Sequence, residues 1–356
     1  MYIGIVGGGI SGLYMSHLLS LKKKHKVTIF ESNEWGGDIK HTFINGKCYP
    51  VSTLFQMDGD LELGKLISKY NLKTECASSH ANHIMCICCA FVTLLLLVIF
   101  SPKYRTKSMM MCVIFTVCLT IFVANETCNI TLGFGADDTC GGVIKLLPMV
   151  LFNLVKNLVQ NPTAQQCQIK LLLNCGFSKI IQEMLKNPSV EYVHEAVVNV
   201  DRHQYGKIHV KTAKQNVRKF DKIIIACSFH QFSKFIQLSK IEYELFSKIR
   251  YFDFFSTLVQ YENSKTIPQQ AHVKGALLLS QQLDNKTILY ASHKSILENV
   301  PPCSFKKEFK WTMFDDCIGD ELNHGSDSVY FIGKEIAGNG IESCLQLCKK
   351  LSDMIQ

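Results

Sequence analysis

Long stretches of this sequence carry no charge. No Lys, Arg, Asp or Glu occurs from Cys76 to Pro102 or from Ser108 to Asn125, and charged residues make up only 19% of the 356. With 47% hydrophobic residues, that excludes a disordered chain and calls for a large core or for membrane contact. The net charge of +8 comes from short scattered runs such as Lys22-Lys23-Lys24 and Lys349-Lys350. These lack the interleaved aromatics of a base-stacking surface, so no nucleic-acid partner is expected. Also missing are a G-x-S-x-G elbow, a P-loop and an H-E-x-x-H pair. The N-terminus has no charged leader region before its first apolar run, and a secreted framework is not expected. Sixteen cysteines do not change this, because Cys86, Cys88, Cys89, Cys112 and Cys118 sit in apolar runs where a thiol behaves as a small hydrophobe.

The two uncharged stretches flank a linker bearing Lys103, Arg105 and Lys107. Crossing a bilayer takes ~20 apolar residues, and each stretch is about that long. A transmembrane helical hairpin over residues 84–124 would return the chain to the side it left; a pair of buried helices, or an insertion foreign to the rest, fits the same pattern. The hairpin reading makes the protein membrane-associated through residues 84–124, with its globular part on the cytoplasmic side. His80, His83, Cys86 and Cys89 are spaced like metal ligands. On a helix, though, each i+3 step turns the side chain by about 60°, so the four fan across half the circumference and cannot surround one ion; no metal site is expected.

The ends of the chain have a different character. An apolar run at 2–6 meets glycines, a helix-like stretch follows, and a second apolar run, Val27–Phe30, ends at Glu31. Gly7-Gly8-Gly9-Ile10-Ser11-Gly12 is thus G-x-G-x-x-G between a strand and a helix. Gly7 makes the tight turn, Gly9 lets backbone approach a pyrophosphate, and Gly12 lets helix and strand pack. The N–H groups at Ile10 and Ser11 open the helix toward an anion, and Glu31 can accept both hydroxyls of an adenosine ribose. A dinucleotide is expected, and NAD and FAD both remain open on this motif alone. Farther on, Val197–Val200 and Ile208–Val210 alternate as half-buried strands do, Lys222–Ala226 reads as a buried strand, and Val329–Ile332 leads through Gly333 toward a closing helix.

Glu31-Ser32-Asn33-Glu34-Trp35-Gly36-Gly37 resembles the segment after the ribose-binding acid in the FAD-dependent amine oxidase superfamily, which includes flavin-containing amine oxidases, protoporphyrinogen oxidase, phytoene desaturase and renalase. The resemblance implies that Gly36 and Gly37 bring backbone against the FAD pyrophosphate. The superfamily's next residue is an arginine; here it is Asp38, with Lys40 close enough to supply the positive charge. Gly176-Phe177-Ser178 and the following Glu195–Val200 resemble the superfamily's glycine-led helix and the strand whose backbone contacts adenine, a role implied for Val197. Trp311, Tyr330–Glu335 and Gly338–Glu342 resemble its C-terminal motif. There an acid follows the glycine; here Lys334 follows Gly333, so Glu335 would take the acid's part. The helix opening at Gly340 and Ile341 would point its N-terminus at the flavin pyrimidine.

The fold class implied is α/β: a Rossmann-like FAD-binding domain with an inserted α+β substrate domain that carries the apolar hairpin. Residues 1–50, 172–230 and 305–356 would form the first domain, and 51–171 and 231–304 the second. The function implied is two-electron oxidation of an amine or related C–N or C–C bond, with a small-molecule amine or an apolar compound as substrate and O2 or another electron acceptor. Trp311 and Phe314 are candidate pocket walls, and no catalytic acid, base or nucleophile stands out. The alternatives are a catalytically degenerate FAD- or nucleotide-binding membrane protein and an NAD(P)-binding reductase.

Overall fold

The computed structural model describes residues 1–44, 46–50, 55–57, 61–76, 169–172, 176–202, 206–260, 270–273, 276–283, 286–291, 305–314, 317–323, 328–338 and 340–355. The hairpin at 84–124 and the His80–Cys89 cluster lie outside them. Among the described residues no helix is long and apolar enough to cross a membrane. No group of three or more potential metal ligands occurs among them either.

In chain order the elements that position the site are β1 (Tyr2–Val6), α1 (Ile10–Leu21), β2 (Lys26–Phe30), the hairpin β3 (His41–Ile44) and β4 (Lys47–Pro50), β5 (Phe55–Met57), α2 (Leu61–Lys69), β6 (Thr74–Cys76), β7 (Ile169–Leu172) and α3 (Gly176–Leu185). They continue with β8 (Val190–Val193), β9 (Val197–Asp201), β10 (Ile208–Thr212), β11 (Val217–Phe220), β12 (Lys222–Ile225), α4 (Phe229–Phe232) and α5 (Lys240–Phe246). The remainder are β13 (Tyr251–Gln260), β14 (Gln270–Val273), β15 (Ala276–Leu283), β16 (Lys286–Ala291), β17 (Phe305–Phe314), β18 (Val329–Phe331), α6 (Lys334–Ala337) and α7 (Ile341–Met354).

Five strands form a parallel sheet in the order β18-β12-β1-β2-β8. Its central strands read as near-continuous apolar runs because helices and a second sheet cover both faces. Ile3, Ile5, Ile29, Ile223 and Ile224 are fully buried. The strand order reverses between β1 and β12, and ligands of open parallel sheets bind in the crevice outside the carboxyl ends at such a point. Both Gly7, after β1, and Ala226, after β12, lie there.

The half-buried alternation at 197–210 has a structural counterpart. Strands β9, β10 and β11 form an antiparallel three-stranded sheet, where one wet face produces that pattern. A third sheet, β14-β15-β16-β13-β17, is antiparallel and built from the 251–314 region. Its long strand β13 buries Ser256, Thr257, Leu258 and Val259. Contact with the first unit runs through Lys307, whose Nζ donates to Thr42 Oγ1 at 2.9 Å, and through Tyr251 at the start of β13. Strands β5, β7 and β6 make a small antiparallel sheet.

The terminal helix α7 packs on α1, where the Cys348 thiol lies 3.4 Å from the Ser11 carbonyl. Lys22 closes this pairing at the far end by donating to the carbonyls of Ser352 and Ile355, which places a cation on the carbonyl-rich end of α7. Cys48 is disulfide-bonded. The Cys344 and Cys348 thiols are buried, as small apolar side chains.

Candidate dinucleotide site

Local chemistry builds the loop after β1. Gly7 has φ +115°, and a Cβ there would stand 2.7 Å from the Ala226 carbonyl oxygen, so both backbone conformation and space require glycine. A Cβ on Gly12 would lie 1.9 Å from the Gly7 carbonyl oxygen. Gly9 differs. It caps α1 in extended conformation with φ −70°, without a side-chain hydrogen bond, and among the described residues a Cβ on it would meet only the Gly37 Cα, at 3.9 Å. Space is therefore left in front of Gly9, at the end of a helix whose first N–H groups have no intrahelical partner and whose first turn holds no acid.

The segment after β2 returns to this loop. Gly36 N–H donates to the Gly8 carbonyl at 2.8 Å, and Gly9 and Gly36 form a parallel bridge. Gly36 and Gly37 have φ +111° and +60°, the left-handed backbone that brings the two loops together. Glu31 Oε2 accepts the Gly8 N–H at 2.6 Å, and its Oε1 accepts the Asn33 N–H at 2.7 Å. Ser32 Oγ also donates to Oε1, at a long 3.5 Å, and of the carboxylate's roughly four lone-pair sites the second one on Oε2 stays open to a ribose hydroxyl. Trp35 lies against Gly8 and meets Tyr192 and His194 edge-on, with ring centroids 5.6 and 6.3 Å apart.

Val197 follows four residues after the strand that pairs with β2. The strand next to β2 is β8, whose Val193 carbonyl accepts the Glu31 N–H at 3.0 Å, whereas Val197 opens the antiparallel strand β9 and is buried. Lys40 is exposed on the short segment before β3. Gly333, with φ +112°, turns the chain from β18 into α6. Gly340 caps α7 without a side-chain bond, and Ile341 begins that helix, half-buried against the core. Trp311 and Phe314 lie on β17. Phe314 is buried, with its ring 6.3 Å from that of Tyr251.

Glu335 points inward. Its Oε2 accepts the Phe229 N–H and its Oε1 the Tyr251 hydroxyl, each at 2.8 Å. Burial raises the Glu335 carboxyl above the ordinary glutamate range, against the pull of these two donors. The Tyr251 phenol is raised as well, chiefly by burial and then by the Glu335 charge. The Cys227 thiol, just after β12, is pushed up to about 12 by burial and then by Glu335 and Glu31, so it is no thiolate nucleophile at neutral pH.

Two contacts here carry no local signal in the sequence. Lys334 Nζ donates to Asp38 Oδ2 at 2.5 Å and to the Thr312 carbonyl at 2.7 Å, joining positions 296 apart. Glu342, in the first turn of α7, accepts the N–H groups of Leu61, Glu62 and Leu63 at 3.0, 3.0 and 2.9 Å, and so caps α2.

Residues 5–58 match the NAD(P)-binding Rossmann-like domain family. The solved structures add the rest of the chain. A CLA-producing fatty acid isomerase from P. acnes superposes with a TM-score of 0.67 at 13% identity, over 99% of this chain and 98% of that one. A putrescine oxidase bound to putrescine gives 0.65 at 11% identity, over 100% and 99%. The cyclohexylamine oxidase from Brevibacterium oxydans IH-35A gives 0.63 at 12%, over 99% and 98%.

The chain shares the fold of these two oxidases and the isomerase. No curated protein matches by sequence. Within this fold the glycine loop, Glu31 and the Gly36-Gly37 pair come together at the switch point. The space that the described residues leave facing Gly9, the open acceptor site on Glu31 Oε2 and the uncapped N-terminus of α1 fit an adenine dinucleotide.

Proposed function

We propose that this protein is an FAD-dependent oxidoreductase that removes two electrons from an amine or a related C–N or C–C bond. The reading is carried by the open space in front of Gly9, where a glycine is needed for a ligand and not for the fold. In this reading the first turn of α1 and the Gly36-Gly37 backbone hold the pyrophosphate, and Glu31 binds a ribose hydroxyl. Bound FAD supplies a two-electron acceptor for hydride.

The chain's own residues set the surroundings. Gly340 and Ile341 present the N-terminus of the 14-residue helix α7, whose dipole favours negative charge. The acid in its first turn, Glu342, spends its oxygens on the N–H groups of α2. Phe314 packs in the core beside Tyr251, so of the two aromatic candidates on β17 it is Trp311 that would wall a substrate pocket. Glu335 holds Tyr251 by its hydroxyl. A small-molecule amine or an apolar compound is the substrate class that suits such a site, with O2 or another acceptor reoxidising the flavin. In this reading residues 84–124 attach the protein to a membrane from its cytoplasmic side.

The NAD(P)-binding description of residues 5–58 favours a second reading, a reductase that uses the N-terminal loop alone. The absorbance of purified protein separates the two. Flavin bands that bleach anaerobically on addition of an amine are expected; a colourless protein that is stabilised against heat by NADPH or NADH and not by FAD would establish the reductase.

A further inference from the structure

Among the described residues, the side-chain contact between Asp38 and Lys334 spans the mouth of the site. Lys334 follows Gly333 at the carboxyl end of β18, and Asp38 follows the Gly36-Gly37 pair after β2. In the sheet β12 and β1 lie between those two strands. At about 4.8 Å per strand, β18 and β2 lie roughly 14 Å apart, so the segments that follow them must converge to bring the two side chains together. Both β18 and β2 end at the carboxyl edge of the sheet, where Gly7 and Ala226 also lie. Both charges act on the Cys344 thiol of α7, the helix that packs on α1 through Cys348 and the Ser11 carbonyl.

Charge makes this arrangement informative. A carboxylate at Asp38, one residue beyond Gly37, would repel an entering pyrophosphate unless something neutralised it. The Lys334 ammonium does so at 2.5 Å, and its second proton is held by the Thr312 carbonyl. The Asp38 side chain is 58% exposed and that of Lys334 27%, so the bond lies at a surface where ion pairs are weak and exchange partners readily. A lysine suits such an exchange: its ammonium is a point charge on a flexible stem, and it moves between acceptors without the planar fit that arginine demands.

We propose that Lys334 is the cation that neutralises the dinucleotide pyrophosphate, and that Asp38 holds it at the mouth of the loop until the dinucleotide enters. The proposal rests on the FAD reading above. Entry of the diphosphate draws Lys334 from Asp38 to a phosphate oxygen, while the Thr312 carbonyl keeps the stem in place. Asp38 therefore competes with the ligand for Lys334, and its removal strengthens binding.

The test is titration of flavin-free protein at several salt concentrations with FAD, read by quenching of flavin fluorescence, and with ADP, a second ligand bearing a diphosphate, read by calorimetry. Lys334→Met is expected to weaken both ligands about tenfold and to flatten the salt dependence, the loss of one charge-assisted contact. Asp38→Asn is expected to tighten both a few-fold, a gain that misfolding cannot produce. Lys334→Met binding like wild type, Asp38→Asn binding more weakly, or the salt effect moving to Lys40→Met would each overturn the assignment. Wild-type protein that binds ADP and refuses FAD would remove the FAD reading alone, and the ADP comparison would still decide the role of Lys334.

Discussion

Gly9 and Gly37 face each other backbone to backbone: a Cβ built on Gly37 would stand 3.0 Å from the Gly9 Cα, whereas one built on Gly9 stays 3.9 Å from Gly37. The asymmetry separates two kinds of glycine in one motif. Gly9→Ala fits the protein by itself and intrudes only on the space assigned to phosphate. It is expected to melt within a few degrees of wild-type apoprotein and to lose FAD retention. Gly12→Ala places a methyl 1.9 Å from a backbone oxygen and is expected to cost at least about 3 kcal/mol with or without ligand. Thermal melts of both variants, with and without FAD, check the pair. A Gly9→Ala protein that keeps its full flavin content would show that the phosphate lies elsewhere.

Glu342 ties α7 to α2 through three N–H groups that helix α2 cannot satisfy internally. At nine residues α2 is too short to be stable by propensity, so this cap matters more than an ordinary one. Glu342→Ala is expected to lose about 2–3 kcal/mol in urea unfolding, and Glu342→Gln, which keeps one acceptor oxygen, about half as much. Equal stability of Glu342→Ala and wild type would mean that water replaces the carboxylate at no cost.

His25 is buried, and neither ring nitrogen has a hydrogen-bond partner. Burial, followed by the positive charges of the N-terminus, Lys24 and Lys22, lowers its pKa below the ordinary 6.5. The folded state thus binds this proton less readily than the unfolded state, and the stability associated with neutral His25 is present above pH 6.5 and lost as pH falls through and below it. His25→Leu is expected to reduce the drop in melting temperature between about pH 7 and pH 5, where histidines titrate. His17, lowered by burial and by Lys69, contributes with the same sign and will leave a residual slope. An unchanged pH profile in His25→Leu would show that the unfolded chain does not gain this proton.

Sequence by itself determined the elements whose signals are local. The Gly7–Gly12 spacing, the apolar runs of β1, β2 and β12, and Glu31 at the end of β2 all lie within short windows, where backbone conformation and burial leave their mark on neighbouring residues. The alternation at 197–210 likewise showed strands with one wet face. Farther from such signals the reading thinned. Tyr251–Gln260, a 10-residue strand with Asp253 among its aromatics, has no clean period of two, and β14 to β16 were not legible either. The strand beside β2 proved to be Val190–Val193, and that choice rests on a backbone ladder which side-chain pattern does not encode.

Tertiary structure alone decided which charges meet. Asp38 and Lys334 each stand out singly as charges at odds with a family pattern, and only the sheet order, by carrying the end of β18 across to the loop after β2, makes them partners. Glu335 and Glu342 are two acids seven residues apart, and nothing in their surroundings along the chain says that one turns into the core toward Tyr251 while the other reaches α2. The reason is physical. Loop and strand conformations are set by neighbours in sequence, whereas an ion pair or a cap depends on where two distant segments are held, and the packed sheet and helices fix that position.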